Sequence, residues 1–337
     1  GCISGTGWRS SSAGWAVRAL VRRQDPRAAA LAADGIDIAI GDLTDDASFP
    51  GALAGIDIVY NIGATYRQAA ASRGDYDAIN AKAVAGLVEA GAAAGVRRVV
   101  HCSTVGVHGD VEHPPAGEDA PLRPGDEYQR SKLEGERLGL AAAARTGMAL
   151  VIARPSGIYG PGDRRLLKLF RGVARRRFVT LGSGEIFYHL TYVEDLAEGF
   201  RLCGESPAAA GRTYILAGGE VTSLNELVRR IAASAGVRPP RLHLPAWPVW
   251  LAGAACEAVC VPLGIEPPLY RRRVDFFTKS RAFDISRARA ELGYAPELAR
   301  DADTGAPLDP AVDYRYAFDR GPQRAPAGAG TAGVLVR

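Results

Sequence analysis

Tyr128 and Lys132 lie four residues apart in the stretch YQRSK, and this pair of side chains could move a proton. On a helix, residues i and i+4 share a face, so the two side chains would be neighbours. An ammonium group beside a phenol stabilises the phenolate and lowers the pKa of the tyrosine from its usual value of ~10. The tyrosine could then exchange a proton with a carbonyl or alcohol oxygen near neutral pH. The same spacing also occurs on solvated helix faces.

A hydroxyl group suited to the same reaction stands upstream, in the stretch STVGVHG. Thr104 directly follows the apolar run RVVHCS, which predicts a buried strand at 98–103. Open α/β sheets bind their ligands where strands end. A hydroxyl group at that point could hold the carbonyl oxygen that the tyrosine protonates. The sequence therefore predicts a Thr, Tyr and Lys set at one edge of a sheet.

Short apolar runs alternate with helix-prone stretches in the first half of the chain. The predicted strands are 15–21, 36–40, 56–62, 98–103 and 149–154. The predicted helices between them are 28–34, 79–94 and 129–145. Runs without polar alternation are typical of strands buried on both faces. Their alternation with helices predicts an α/β protein with a Rossmann-like, doubly wound parallel sheet.

The pattern changes after Pro155. A loop at 157–163 leads to a predicted helix at 164–177, and a strand at 213–219 precedes another helix at 221–235. We predict a nucleotide-binding domain over 1–155, joined by returning segments around 180–215. A smaller α/β substrate-binding region would occupy 156–300. The small and polar residues of 301–337 predict a largely disordered tail.

These motifs together resemble the extended short-chain dehydrogenase/reductase superfamily, within it the NAD-dependent epimerase/dehydratase family and its 3β-hydroxysteroid dehydrogenase-like branch. The resemblance covers roughly residues 15–296, and its motifs occur in the family's order. They are GDLTD from Gly41, NIGA from Asn61, Asn80 within INAKAVAGLVEA, STVGVHG, YQRSK, RPSGIYGPGD from Arg154, HLTYVEDLAEGF from His189 and FDISRARAELGYAP from Phe283.

The resemblance implies a role for each matching residue. The catalytic residues would be Thr104, Tyr128 and Lys132. The cofactor would be bound by Gly5, Gly7, Arg22, Asp42, Leu43, Gly63, Ala64, Asn80, Lys132, Pro155 and Ile158. The substrate would contact Tyr66, His108, Tyr159 and Arg164. Simpler roles stay open: Asp42 as a turn residue, Asn80 as a helix cap and His108 as a packing residue.

Arg22 bears on the choice of cofactor. It follows the predicted strand 15–21, where an acidic residue would bind the ribose 2′-hydroxyl of NAD and an arginine accommodates the 2′-phosphate of NADP. We therefore expect NADP in preference to NAD. The alternative is that Arg22 and Arg23 are two solvated arginines.

The substrate prediction rests on departures from other branches of the family. Val105 and Gly106 follow Thr104, whereas the dehydratases of the family that the chain resembles carry acidic residues at these positions. Gly157 stands where many sugar-nucleotide epimerases have an asparagine. Both favour hydride transfer at a secondary alcohol or ketone of a large, partly apolar substrate, such as a steroid, isoprenoid or flavonoid. A sugar-nucleotide epimerase with tightly bound NAD and a catalytically impaired nucleotide-binding protein are the alternatives.

Two further stretches have more than one interpretation. The apolar segment 247–265 predicts a buried helix pair in the smaller region, but it could also cover an apolar substrate or touch a membrane surface. Its proline and glutamate residues argue against a membrane span. The basic stretch 164–177 predicts a solvated helix face, with binding of a substrate diphosphate as the alternative.

The opening residues GCISGTGW contain a glycine spacing that resembles a phosphate-binding turn. No apolar strand precedes Gly5 and Gly7, and only a short, weakly helical stretch follows them. A full first helix would need about 11 residues for three turns. We therefore expect the first strand and first helix to be missing or truncated, which would leave the sheet without a central strand and weaken the cofactor site.

The composition limits the classes of partner that we expect the chain to bind. The 337 residues carry a net charge of +4 and are 47% hydrophobic, which is ordinary for a soluble globular protein and does not favour nucleic-acid binding. Five scattered histidines lack metal-ligand spacing, so no metal is expected. Five cysteines without a C-x-x-C pair are typical of the reducing cytoplasm. We expect a small-molecule substrate, while a homodimer and a peripheral membrane contact stay open.

Overall fold

The computed structural model of the protein describes residues 15–66, 72–160, 163, 166–260, 262–263, 267–269, 271–296 and 333–336. Three predicted site residues, Gly5, Gly7 and Arg164, lie outside the described residues. The predicted loss of the first strand and first helix concerns residues 1–14, which also lie outside, and it stays a prediction.

A seven-stranded sheet forms the centre of the molecule. The strands of the described residues, including those outside this sheet, are in chain order β1 (Val17–Val21), β2 (Asp37–Ile40), β3 (Ile58–Asn61), β4 (Arg98–Cys102), β5 (Leu150–Pro155), β6 (Gly157–Tyr159), β7 (Thr180–Leu181), β8 (Phe187–Tyr188), β9 (Leu190–Tyr192), β10 (Thr213–Leu216), β11 (Thr222–Ser223), β12 (His243–Leu244) and β13 (Gly333–Val336). The sheet has the order β10-β5-β4-β3-β13-β1-β2. All neighbouring pairs are parallel except the two that involve β13.

The sheet has no gap between β1 and β3 in the described residues, so our expectation of a missing central strand is corrected. β13, from the far end of the chain, lies there antiparallel to both neighbours, with Leu20 opposite Gly333 and Ile58 opposite Val336. The two ladders satisfy backbone N–H and C=O groups of β1 and β3 that a gap would leave unpaired. The predicted disordered tail therefore contains one ordered strand, and its residues 301–332 and 337 lie outside the described part.

Helices cover both faces of the sheet, which confirms the predicted Rossmann-like α/β class. They are α1 (Pro26–Ala33), α2 (Phe49–Leu53), α3 (Arg73–Asp77), α4 (Ala83–Ala93), α5 (Glu127–Thr146), α6 (Leu167–Ala174), α7 (Val193–Glu205), α8 (Leu224–Ser234), α9 (Ala246–Cys260), α10 (Arg271–Thr278) and α11 (Ser286–Leu292). A π-helix, Ala78–Lys82, joins α3 to α4. Two apolar clusters fill the space between sheet and helices, one on each face.

The second half of the chain builds a smaller unit beside the sheet. Its short strands pair as β6 with β9, β7 with β12 and β8 with β11. Helices α6 and α8 pack on them through a third apolar cluster, which includes Phe170 and Leu227. The prediction of a buried helix pair for the segment from Trp247 is wrong, because α9 lies largely in solvent and only its Gly253 is buried.

Candidate active site

Thr104 stands at the carboxyl end of β4, as predicted. Its backbone is extended, and its hydroxyl accepts a hydrogen bond from the Gly106 amide at 3.1 Å, which caps the short 3₁₀ turn Val105–His108. The side chain is half-buried. The cap fixes the position of the hydroxyl oxygen, while the hydroxyl proton remains able to point to a ligand.

Tyr128 and Lys132 lie in the first turns of α5, the longest helix of the described residues. Asp126 caps this helix by accepting a bond from the Gln129 amide at 2.8 Å, and Gly147 ends it in the left-handed conformation. The ring of Tyr66 packs edge-on against that of Tyr128, with 4.8 Å between the centroids. The cap and the ring contact together hold the tyrosine at the beginning of the helix.

The ammonium group of Lys132 is buried inside the protein. The residue is 1% exposed, and its Nζ atom has no hydrogen-bond partner among the described residues. Burial lowers the pKa of Lys132, while Cys102 and Glu136 act in the opposite direction. A buried donor without a partner is costly. The group is therefore suited to receive hydrogen-bond acceptors that a ligand brings.

Asn80 connects the loop after β3 with α5. Its amide group accepts from the Thr65 amide at 2.8 Å and donates to the Thr65 carbonyl and to the Ser131 hydroxyl, each at 2.9 Å. Asn80 is fully buried within the π-helix, an element that often marks functional sites. It does not cap a helix: Ser72 caps α3. Asn80 thus holds the Gly63–Ala64 loop against the helix that carries Tyr128 and Lys132.

A buried ion pair that the sequence analysis missed lies behind these residues. Arg154 at the end of β5 donates to Glu136 of α5 through Nε at 3.0 Å and Nη2 at 2.6 Å. The hydroxyl of Ser103, the residue before Thr104, also donates to Glu136. Both charged side chains are at most 6% exposed. Two features of the sequence could have indicated this pair. Glu136 is an acidic residue one turn after Lys132, and Arg154 is an arginine in an apolar strand.

His108 takes the packing role that the sequence analysis left open beside a place at the substrate cleft. It is buried, with Nε2 3.3 Å from Nη1 of Arg154 and its ring against Phe283. Burial and the Arg154 charge lower the pKa of His108. Its position on the inner side of the 3₁₀ turn makes it part of the buried network rather than of the cleft wall.

A cleft of about 410 Å³ opens beside the predicted catalytic residues. Tyr66, Gly106 and Gln129, neighbours of Tyr128 and Thr104, form one wall. The opposite side is mainly apolar and comes from the smaller unit, with Ile158, Leu166, Tyr188, Leu190, Phe276 and Phe283 among its residues. The ion-pairing side chains of Asp275 and Lys279 lie at the same cleft. The lining of the cleft therefore combines apolar side chains with a charged pair.

Tyr159 does not reach this cleft. It is buried in the smaller unit, where its ring packs on Tyr192 with 5.4 Å between the centroids. It lines a separate small cavity of about 40 Å³. The prediction that Tyr159 lies at the substrate cleft is therefore wrong in position, because its strand β6 points it into the core of the smaller unit.

The remaining predicted cofactor residues lie at the carboxyl ends of the parallel strands. Arg22 follows β1 and is exposed, while Gly63 and Ala64 follow β3, and Pro155 ends β5. This edge is where α/β sheets bind nucleotides. Together with the Nζ of Lys132, which has no hydrogen-bond partner among the residues that the structure describes, these positions fit a nicotinamide dinucleotide.

Asp42 and Leu43, at the same edge beyond β2, have interactions of their own. The Asp42 carboxylate accepts from the amide and the hydroxyl of Thr44 at 2.9 and 2.8 Å, which is the turn role left open above. Leu43 is buried in the apolar core. A cofactor would therefore meet the backbone of Leu43 rather than its side chain.

The fold is a Rossmann-like α/β fold, with predicted cofactor residues at the carboxyl ends of its parallel strands. The model of the family described as "NAD dependent epimerase/dehydratase family" matches residues 9–217, more than half of the chain. The chain belongs to this family. This assignment agrees with the resemblance that the sequence motifs indicated.

Individual relatives agree with this assignment. The chain is 29% identical over 279 residues to a 3beta-hydroxysteroid-dehydrogenase/decarboxylase of Arabidopsis thaliana, covering 76% of this chain and 48% of the relative. It is 29% identical over 273 residues to the 2-alkyl-3-oxoalkanoate reductase of Stenotrophomonas maltophilia, covering 77% and 82%. The chain thus spans about half the length of the Arabidopsis protein. The crystal structure of gox2253 superposes with a TM-score of 0.73 at 27% identity, covering 90% of each chain.

The helices of the described residues include none that is long and apolar enough to cross a bilayer.

Proposed function

We propose that the chain is an NAD(P)-dependent dehydrogenase or reductase that acts on a secondary alcohol or ketone of a large, partly apolar substrate. The observation that carries the proposal is the Nζ atom of Lys132, which is buried one helical turn from Tyr128 and has no hydrogen-bond partner among the described residues. A lysine on a solvated helix face would hydrogen-bond to water. A buried, unpartnered ammonium group is instead a site for a ligand or for a neighbouring phenolate.

Proton transfer would use three side chains with different roles: Thr104, Tyr128 and Lys132. The hydroxyl of Thr104 donates to the substrate oxygen and holds it near Tyr128. The phenol of Tyr128 gives a proton to that oxygen in reduction and takes it back in oxidation. The charge of Lys132 stabilises the phenolate, so the proton can move near neutral pH. Asn80, through Ser131, keeps the backbone of this turn in place.

The cofactor would lie along the carboxyl ends of β1, β3 and β5. The nicotinamide ring of the bound cofactor supplies or accepts the hydride. Lys132 would donate to the nicotinamide ribose, Gly63 and Ala64 would pass the pyrophosphate, and Pro155 and Ile158 would contact the nicotinamide. Ile158 also lines the cleft, so a substrate there would meet the cofactor.

Arg22 supports NADP as the preferred form. Its exposed side chain directly follows β1, and a 2′-phosphate there would form a charge-assisted hydrogen bond. Arg22→Asp is expected to lower the preference for NADP over NAD by about tenfold or more, measured as the ratio of the two dissociation constants. Arg23→Asp is the matched control, because Arg23 is also exposed. Equal effects of both substitutions would contradict a specific role for Arg22.

The apolar cleft supports the substrate class. Aromatic and aliphatic side chains dominate its far wall, and the two relatives named above are described by a hydroxysteroid and an alkyl oxoalkanoate, which are largely apolar molecules with an alcohol or ketone.

The experiment is an assay of the purified chain with NADP and NAD against hydroxysteroids, long-chain 3-hydroxy acids and sugar nucleotides. Net formation of reduced cofactor with a member of the first two groups supports the proposal. Conversion of a sugar nucleotide to its epimer without net change in the cofactor would establish the epimerase alternative instead. Tight cofactor binding with no turnover of any compound would leave the impaired nucleotide-binding protein.

A further inference from the structure

Helix α9 exposes an unusual amount of apolar surface. Its sequence, AWPVWLAGAACEAVC, is apolar on all sides, yet only Gly253 is buried. Trp247 is 67% exposed, Trp250 43% and Leu251 51%. A helix that is apolar all round is ordinarily buried, and contiguous exposed apolar surface marks an interaction site. This face therefore needs a partner.

The helix presents no unpaired charge to that partner. Its single charged residue, Glu257, accepts hydrogen bonds at 2.7 Å from both the backbone amide and Nε of Arg271. The same guanidinium group lies 5.7 Å from the centroid of the Trp250 ring. α9 can therefore enter an apolar environment without bringing an unpaired carboxylate.

A basic groove adjoins the start of α9. It has a volume of about 580 Å³, and four exposed arginines line it: Arg176, Arg177, Arg238 and Arg241. None of the four forms an ion pair with a carboxylate of the described residues, and no acidic side chain lines the groove. Strand β12 pairs with β7 and lies in the chain between Leu242, which lines the groove, and the start of α9, so the groove is next to the helix.

We propose that α9 and this arginine groove dock on the surface of an anionic phospholipid membrane. The arginines would bind lipid phosphates, and the tryptophan and leucine side chains of α9 would enter the boundary between head groups and acyl chains. Fifteen residues of helix are ~22 Å long, less than the ~30 Å of a hydrocarbon core, so α9 lies in the plane of the membrane rather than across it.

A second copy of the chain fits this face less well. A two-fold interface brings the same patch of both copies together. Docking through this surface would bring two sets of unpaired arginines close to each other. An anionic bilayer offers apolar and negatively charged groups side by side, which matches the helix and the groove at once.

Docking here would bring the cleft close to the bilayer. α10 packs on α9, and Asp275 and Phe276 of α10 line the cleft. An apolar substrate dissolved in the membrane would then have a short path to Tyr128. This last step rests on the proposed function, whereas membrane docking does not.

The test is sedimentation of the full chain with vesicles of phosphatidylcholine alone or with added phosphatidylglycerol. We expect binding to the anionic vesicles, weakened by salt and by omission of phosphatidylglycerol. Arg238→Glu with Arg241→Glu, and separately Trp247→Ser with Leu251→Ser, are each expected to weaken binding by at least about tenfold. The control is Arg137→Glu with Leu140→Ser on α5, where both side chains are also exposed.

Tryptophan fluorescence of the unaltered chain provides an independent measurement, since Trp247 and Trp250 should shift to shorter wavelength on anionic vesicles. Absence of vesicle binding by the unaltered chain would overturn the proposal. Equal binding by the groove and control variants would do the same. So would a dimer that Trp247→Ser with Leu251→Ser converts to monomer, because the face would then belong to a second copy. These readouts do not depend on turnover, so their failure is distinct from failure of the proposed function.

Discussion

Two regions of the same sheet, which we call the catalytic edge and the cofactor edge, are built in different ways. At the catalytic edge, around β4, β5 and α5, buried side chains bind one another: Ser103 and Arg154 donate to Glu136 beside Lys132. At the cofactor edge, around β1 and β3, the central position is filled by β13 through backbone ladders. The catalytic edge depends on individual side chains, whereas the cofactor edge depends on a strand from the far end of the chain.

Removal of β13 should have the largest effect of the changes described below, on both stability and cofactor binding. A chain that ends at Ala332 loses two ladders at once and leaves the facing backbone groups of β1 and β3 unpaired. We expect a loss of several kcal/mol of stability, at ~1–3 kcal/mol for each buried unpaired group, and loss of cofactor binding. Thermal unfolding and cofactor titration measure the two effects.

Removal of Arg337 alone is the matched control, because it leaves the strand Gly333–Val336 intact. If the chain ending at Ala332 unfolds at the same temperature as this control, β13 contributes nothing to the sheet.

Glu136→Gln tests the catalytic edge. It leaves the Arg154 guanidinium buried without its carboxylate, and breaking such a pair from one side costs about 3–5 kcal/mol. Denaturant unfolding measures the loss of free energy. The control is Glu89→Gln, which breaks the solvent-exposed pair with Arg145 and should cost at most about 1 kcal/mol. Similar losses in both variants would mean that the buried pair has no special role.

Acid should gradually destabilise the folded chain. Burial is the main cause that lowers the pKa of His101, His108 and His189. The unfolded chain therefore binds more protons than the folded chain as pH falls below the ordinary histidine pKa of about 6.5. Stability is full above that pH and declines below it, by up to about 1.4 kcal/mol per pH unit for each histidine. Unfolding free energies between pH 8 and pH 5 check this sign.

His189 shows the physical reason most clearly. Its Nε2 lies 2.7 Å from the Gly218 carbonyl, and its Nδ1 accepts from the Phe283 amide at 3.3 Å. The neutral ring satisfies both neighbours, and protonation removes the acceptor. His189→Gln should flatten the pH dependence of stability, whereas the exposed His113→Gln should keep the slope of the unaltered chain. An unchanged slope in both would contradict this explanation.

The sequence predicted the parallel strands because each is a short, nearly unbroken apolar run between helices. It could not predict β13: GVLV lies in a stretch of small and polar residues, and nothing local indicates pairing with strands at the other end of the chain. The two roles of His108 stayed open for a related reason. Proximity to Thr104 in sequence does not tell which side of a turn faces the cleft.

The buried ion pair was not predicted. The positions of Glu136 and Arg154 in the sequence offered a signal, but their pairing depends on the packing of α5 against β5. The exposure of α9 reversed an expectation based on hydrophobicity alone, because an apolar segment can be covered by the core or by an external partner. The motif residues Thr104, Tyr128 and Lys132, in contrast, were placed by local spacing along a strand end and a helix.

The central claim is that Tyr128 moves the proton while Lys132 and the cofactor edge only support it. Its most direct measurement compares kcat and the cofactor dissociation constant of Tyr128→Phe and Tyr66→Phe, two changes that each remove one hydroxyl from the same pair of packed rings. We predict that Tyr128→Phe lowers kcat by roughly 10²–10⁴-fold with nearly unchanged cofactor binding, and that Tyr66→Phe keeps most of the turnover. Full turnover in Tyr128→Phe would contradict the assignment.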